Sequence, residues 1–343
     1  MTAPSALVTG ATGFIASHLV PALLAGGWSV RATGRRGRPA GLPAAAEYQP
    51  VDLVEARPED MTKLLAGVTH VFHLAGASSS RSSEQEMVRN NVEATERLFA
   101  AVAASDTVER ALHMSSTSVY GEAVQLPSPV PEEVEPRPSR SYGKAKWGAE
   151  QVVWRHGRDG LPVVVLRPVS VHGPGTVKLL ASAILDAAIE RFMGLDRLAV
   201  HAVPVEQRLV HIDDLVGATV HLARHGSAPG RAFNIASGVY PTSHDVASVL
   251  AGHFGMEVEL SDDPDCGPPY DERQKAWSSM LERGMTDAIL LTRERFRFMR
   301  KANVNNRLSL DNLSSTGFEL RHTDPATEIV ADARWCEANR WIV

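Results

Sequence analysis

Short apolar runs along the chain alternate with stretches whose apolar positions recur at helical spacing. The run Ala6-Leu-Val-Thr9 predicts a strand that ends in the glycine turn at Gly10, and residues 14–24 carry an apolar face that predicts a helix. Ser29–Gly34 predicts a second strand, and a third leads to Val51-Asp52-Leu53. Residues 70–76 predict a buried fourth strand running into a glycine turn, 84–104 a helix, and 110–116 a fifth strand. A proline-rich stretch, 127–138, reads as an irregular, mobile loop. A helix over 141–150 and a sixth strand over Val163–Pro168 follow. Strands alternating with helices at this spacing predict an α/β fold, a doubly wound parallel sheet.

The first turn carries the clearest chemistry. In Thr9-Gly-Ala-Thr-Gly-Phe-Ile15, Gly10 and Gly13 let the backbone turn sharply and approach a pyrophosphate. The helix that starts beside them offers N–H groups and a partial positive charge to the anion. Thr12, Phe14 and Ile15 complete that cradle, and Ala16 stands where a third glycine often packs helix on strand. A dinucleotide is therefore the expected ligand, on a Rossmann-type sheet.

The end of the second strand sets the expected cofactor. NAD-preferring proteins close this strand with an Asp or Glu that accepts bonds from the ribose 2′-hydroxyl. Here Gly34 fills the slot and Arg35-Arg36 follow. A guanidinium binds a 2′-phosphate that a carboxylate would repel, which points to NADP. The alternative is a solvated basic loop that Arg38 continues. Asp52, before Leu53, reads either as a contact to the adenine amino group or as a helix N-cap. Leu74-Ala75-Gly76 lies beside the same cofactor, and His73 reads as a packed strand residue.

Strand five ends in Ser115-Ser-Thr-Ser-Val-Tyr-Gly121, at the sheet edge where doubly wound folds bind ligands. Tyr142 and Lys146 stand one turn apart on one helix face. A phenol near its ordinary pKa of about 10 is a poor acid or base at neutral pH. An ammonium one turn away and a positive nicotinamide favour the phenolate and bring it into range. A serine hydroxyl from the neighbouring strand can orient a substrate oxygen.

Taken in order, these pieces resemble the extended short-chain dehydrogenase/reductase family, in its NAD(P)-dependent epimerase/dehydratase branch. The resemblance rests on Thr9-Gly-Ala-Thr-Gly-Phe-Ile, Asp52-Leu, His73-Leu-Ala-Gly, Asn91-Val, Ser116 four before Tyr120, Tyr142-x-x-x-Lys146, Leu166-Arg-Pro, His211-Ile-Asp-Asp-Leu215 and Phe233-Asn-Ile-Ala-Ser237. It covers about residues 1–255 and implies Tyr142 as acid/base, Lys146 as the group that lowers its pKa and holds the nicotinamide ribose, and Ser116 as the donor to the reacting oxygen. It further implies Asn91 and Pro168 beside the cofactor, Ser78 and Ser118 as substrate contacts, and a homodimer. Ser170 and His172 replace the asparagine and tyrosine usual after Arg-Pro in nucleotide-sugar members, whereas Arg208 matches the arginine that binds a substrate diphosphate. A 4,6-dehydratase is disfavoured, because Thr117-Ser118 stand where that chemistry needs an acid/base pair.

Three readings follow: an NADP-dependent ketone reductase, an epimerase, and a non-catalytic NADP-binding sensor. The expected organisation is an NADP-binding domain over 1–173, to which 209–237 return, and a smaller C-terminal substrate-binding lobe made of 174–208 and 238–343. Asp213 and Asp214 read as helix caps, His221 and His225 as surface residues without a third metal ligand, and no metal is expected. Residues 271–302, with Arg293, Arg295, Arg297, Arg300 and Lys301, read as a lid, an oligomer contact or a solvated helical face, and 325–338 as a final helix.

A net charge of −5 without a basic stripe argues against nucleic acid or an acidic membrane as partner, leaving a small molecule. Two cysteines fit a reducing compartment, and no apolar run approaches the ~20 residues of a membrane span, so a cytoplasmic location is expected.

Overall fold

The computed structural model describes residues 3–77, 82–121, 126–295 and 307–343. In chain order the first half runs β1 (Ser5–Thr9), α1 (Phe14–Ala25), β2 (Ser29–Gly34), β3 (Glu47–Pro50), α2 (Pro58–Leu65), β4 (His70–His73), α3 (Glu84–Val88), α4 (Ala94–Ala103), β5 (Arg110–Met114), α5 (Ser141–Arg158) and β6 (Val163–Pro168). The second runs β7 (Ser170–His172), α6 (Leu180–Phe192), β8 (Arg197–His201), β9 (Leu209–His211), α7 (Ile212–Arg224), β10 (Arg231–Ile235), α8 (Ser243–Phe254), β11 (Glu257–Ser261), α9 (Tyr270–Glu282), α10 (Asp311–Ser314) and α11 (Pro325–Ala338).

The chain divides into two compact units. The first comprises Met1–Val169, Asp213–Ile235 and Leu308–Glu319. It holds a seven-stranded sheet in the order β10-β6-β5-β4-β1-β2-β3, every pair parallel. Central strands are apolar almost throughout because helices cover both faces: Leu7, Val71, Ala111 and Val165 are fully buried. On one face they pack with Leu98 and Phe99 of α4 and Val152 and Val153 of α5. Strand order reverses at β1 and β4, which brings Thr9, His73 and Met114 to one carboxyl edge, the switch point where such sheets take ligands.

Two expectations need correction here. The helix foreseen over 84–104 is interrupted by a π turn, Arg89–Glu93, which contains Asn91. One extra residue per turn re-aims the side chains there, and such turns recur at functional sites. The loop at 127–138 is irregular but anchored. Val130 and Glu132 are buried, Val130 pairs with Leu308, and Asn234 Nδ2 donates to the Val130 carbonyl at 3.1 Å.

The second unit comprises Ser170–Ile212, Ala236–Arg307 and Leu320–Val343. It contains two parallel strand pairs, β7 with β9 and β8 with β11. Its core is α6, buried along most of its length against α8, α9 and α11. Here the expectation for 271–302 changes. Trp277 and Met280 of α9 lie in the core, and Arg273 is 1% exposed. Arg273 Nη1 donates to Asp186 Oδ1 at 2.6 Å, and Arg295 Nη2 to Glu190 Oε2 at 2.8 Å. Two arginines thus neutralise two buried acids of α6, so this stretch is a wall of the unit and not a solvated face. Residues 296–302 lie outside the described residues. Among the described residues no helix is long and apolar enough to cross a membrane.

Candidate active site

The turn after β1 is built for a close backbone approach. Gly10 has φ +72°, and a methyl there would lie 2.9 Å from the Ala75 backbone, so only glycine fits. The Gly13 N–H closes the turn on the Gly10 carbonyl at 2.9 Å, and Gly13 is the N-cap of α1. No side chain among the described residues caps that end, so its first N–H groups, at Phe14 and Ile15, have no side-chain acceptor from a cap. Thr9 ties the neighbouring loop to the turn: its Oγ1 accepts from the N–H of Leu74 and of Ala75, each at 3.1 Å, and bonds His73 Nδ1 at 2.8 Å. His73 is fully buried and also bonds Thr95; burial pushes its pKa down to about 3, so it is a neutral packing residue.

At the end of β2 the Ala11 N–H bonds the Thr33 carbonyl, and exposed Thr12 lies beside Gly34. The side chains of Arg35 and Arg36 are exposed, with Arg35 Nη1 donating to Asn90 at 3.2 Å. Arg38 is engaged elsewhere, on the carbonyls of Leu42, Pro43 and Ala46. Asp52 Oδ1 accepts the Val54 N–H at 3.0 Å in a local turn. The N-cap of α2 is Arg57, so the capping alternative for Asp52 fails; Leu53 is core.

The structure brings Ser116, Tyr142 and Lys146 together. Ser116 follows β5 and its Oγ accepts the Ser118 N–H at 3.2 Å. A methyl on Gly143 would lie 2.5 Å from the Ser118 carbonyl, so glycine there allows α5 to seat Tyr142 against this turn. The Ser116 hydroxyl lies close enough to the Tyr142 phenol to act on its titration. Burial pushes that phenol up, and Ser116 opposes the rise. The tyrosine is therefore not activated by the chain alone. Lys146 is buried, donates to the Met114 carbonyl at 2.9 Å, and is pushed down to about 8 by desolvation, with Glu150 raising it. Ser118 Oγ is buried without a hydrogen-bond partner among the described residues, and Pro168 accepts from Thr117 at 3.4 Å. Ser78 lies outside the described residues.

A nicotinamide dinucleotide fits these residues. Asn91 Nδ2 is held by the carbonyls of Ala77 and Met87, while its Oδ1 is buried and unpartnered among the described residues. A methyl on Gly76 would come 2.4 Å from that Oδ1 and 3.3 Å from Lys146 Nζ. The glycine thus keeps open a small polar recess bounded by an acceptor and an ammonium, suited to a ribose hydroxyl.

In the second unit, Ser170 and Arg208 are neighbours: the Ser170 N–H donates to the Arg208 carbonyl at 3.2 Å, and both side chains are half-buried. His172 is spent on buried Asp332, at 2.9 Å. His221 is not a surface residue, since it is half-buried and its Nε2 bonds Thr316 Oγ1 at 3.0 Å. Asp213 and Asp214 stand in the first turn of α7, with Asp214 buried.

Sequence reasoning missed a charged network beside Lys146. Glu150, Arg167, Tyr120, Glu132 and Asn234 are all buried and mutually hydrogen-bonded. The one available signal was the unusual placement of Arg167 inside a strand of valines and leucine.

Sheet order, the glycine turn and the Ser-Tyr-Lys cluster define a Rossmann-type α/β protein built on the pattern of nicotinamide-dependent oxidoreductases. The model of the NAD dependent epimerase/dehydratase family matches residues 6–236, and the chain belongs to that family. It is 29% identical over 267 residues to GDP-6-deoxy-D-mannose reductase of Pseudomonas aeruginosa, covering 75% of this chain and 82% of that protein. It is 32% identical over 273 residues to dTDP-6-deoxy-L-talose 4-dehydrogenase (NAD(P)(+)) of Kitasatospora kifunensis, covering 77% and 83%. Among solved structures, MoeE5 in complex with UDP-glucose and NAD matches with a TM-score of 0.72 at 25% identity, over 97% of this chain and 99% of that one.

Proposed function

We propose that the protein is an NADP-dependent reductase of a ketone, carried by a nucleotide-linked sugar or a related hydroxylated metabolite. The observation that carries this reading is buried Lys146, one helical turn from Tyr142 on α5 and bonded to the Met114 carbonyl, with Ser116 following at the carboxyl edge of the sheet. When bound, the reduced nicotinamide supplies the hydride. Ser116 holds the substrate oxygen, Tyr142 delivers the proton to it, and Lys146 together with the cofactor's positive charge stabilises the phenolate left behind. The exposed Arg35 and Arg36 are assigned to the 2′-phosphate, the α1 N-terminus to the pyrophosphate, and Asp52 to the adenine end. Ser118, Ser170 and Arg208 are assigned to substrate, Arg208 as a diphosphate partner, which makes the second unit the substrate lobe.

The named relatives are a reductase and a dehydrogenase of nucleotide-linked deoxysugars, which supports this substrate class. An epimerase, in which a sugar hydroxyl is oxidised transiently, is the second reading; the NAD in the MoeE5 structure favours it. A homodimer through α4 and α5 belongs to the same proposal.

Incubation with NADPH deuterated at the transferring nicotinamide carbon and a panel of nucleoside-diphosphate-linked keto sugars separates the two. The reductase places deuterium on the product's carbinol carbon, with one NADP formed per product. Turnover of a sugar with no net change in the cofactor pool would transfer the assignment to the epimerase.

A further inference from the structure

Lys146 stands at one end of a buried charged chain, all of it within the sheet unit. Its Nζ holds the Met114 carbonyl, and the next residue, Ser115, donates its hydroxyl to Glu150, one helical turn beyond Lys146 on α5. Glu150 is fully buried and receives Arg167 from β6 through Nε to Oε1 at 3.0 Å and Nη2 to Oε2 at 2.7 Å. Arg167 Nη1 donates to the Tyr120 hydroxyl and to the Glu132 carbonyl, each at 2.9 Å. Tyr120 donates to Asn234 Oδ1 at 2.7 Å, and Asn234 N–H donates to Glu132 Oε1 at 2.9 Å.

We infer that Glu150, held by Arg167, is a positioning residue for the Ser116-Tyr142-Lys146 cluster: it clamps the end of β5 and keeps the buried Lys146 ammonium charged. The inference rests on the reading of Lys146 given above and extends it to residues that touch neither substrate nor cofactor.

The charges around Lys146 leave this task to Glu150. His73 on β4 and His113 on β5 also face it, and burial holds both imidazoles neutral near pH 7. Tyr142 is a neutral phenol in the chain alone, and Asn91 carries no charge. Glu132 is pushed up to about 7 by burial and sits on the far side of Arg167. Glu150 is thus the acid that raises the lysine against desolvation. Arg167 in turn pairs with Glu150 in the sheet interior, so the buried carboxylate has an opposite charge against it. Lys146 carries its charge below its pKa and loses it as pH rises, so removing Glu150 moves that loss to lower pH.

The test titrates Lys146 directly, without cofactor or substrate. The full chain is labelled with [13C]lysine, the Lys146 Cε resonance is assigned by its absence in Lys146→Arg, and its pH midpoint is measured. The midpoint is expected near 8 in the parent and lower by about one unit or more in Glu150→Gln, since a close opposite charge shifts a pKa by about 1–3 units. A midpoint unchanged in Glu150→Gln overturns the inference. Should the unpaired Arg167 prevent Glu150→Gln from folding, the double variant Glu150→Gln/Arg167→Met removes both buried charges and must show the same downward shift. This outcome is independent of whether Tyr142 proves catalytic, which turnover of Tyr142→Phe decides.

Discussion

Replacing Tyr142 by Phe is expected to lower turnover about 100- to 10,000-fold, the range for loss of a positioned general acid or base. NADPH affinity should stay nearly unchanged. The substitution removes one oxygen, the phenol that lies beside Ser116. It leaves the ring packed on α5 and leaves the Gly76–Asn91–Lys146 recess intact. Steady-state rates and a binding titration on the same preparation separate the two effects. A variant that loses NADPH binding along with turnover would show that the phenol holds the cofactor and would contradict its role as proton donor. A variant that keeps its turnover would remove Tyr142 from the chemistry altogether.

The second large effect is on stability. Arg273→Ala should cost about 3–5 kcal/mol of unfolding free energy, because it breaks a buried ion pair by removing one of its members. Asp186 is 2% exposed, and Arg273 meets it at 2.6 Å. The same guanidinium holds the carbonyls of Thr292 and Arg293, at 3.2 and 2.9 Å, so the segment after α9 should loosen as well. Pairing Arg273→Met with Asp186→Leu removes both charges and should recover most of the loss, since well-packed apolar groups replace buried ion pairs at little cost. Denaturant unfolding of the three proteins measures this. A single variant within about 1 kcal/mol of the parent would mean that water reaches Asp186 and that the pair is not a core element.

The two effects also mark how far the sequence could be read. The strands β1, β4 and β5 were legible because a parallel sheet covered on both faces writes uninterrupted apolar runs, but β4 stops at His73 and β5 at Met114, short of the ends at 76 and 116 that the sequence suggests. The Tyr142–Lys146 spacing was legible because four residues make one helical turn. What lies across the fold was not. Glu150 continues the same helix as an ordinary charged residue, and only its meeting with Arg167, 17 positions on, shows it to be buried. Arg273 and Asp186 lie 87 positions apart, so the charges of α9 read as a solvated face until α6 is seen beneath them. The π turn at Asn91 has no periodic signature, because one inserted residue alters the phase without changing composition.

Cofactor choice is the central claim, and titration of the purified protein with NADPH and NADH tests it most directly, in the parent chain and in the double variant Arg35→Asp/Arg36→Ala. Charge-assisted hydrogen bonds worth about 1.5–3 kcal/mol predict an NADPH preference of roughly tenfold to a hundredfold, which should collapse in the variant. Equal affinity for the two cofactors, or NAD carried tightly through purification, would contradict the 2′-phosphate assignment and place the epimerase first.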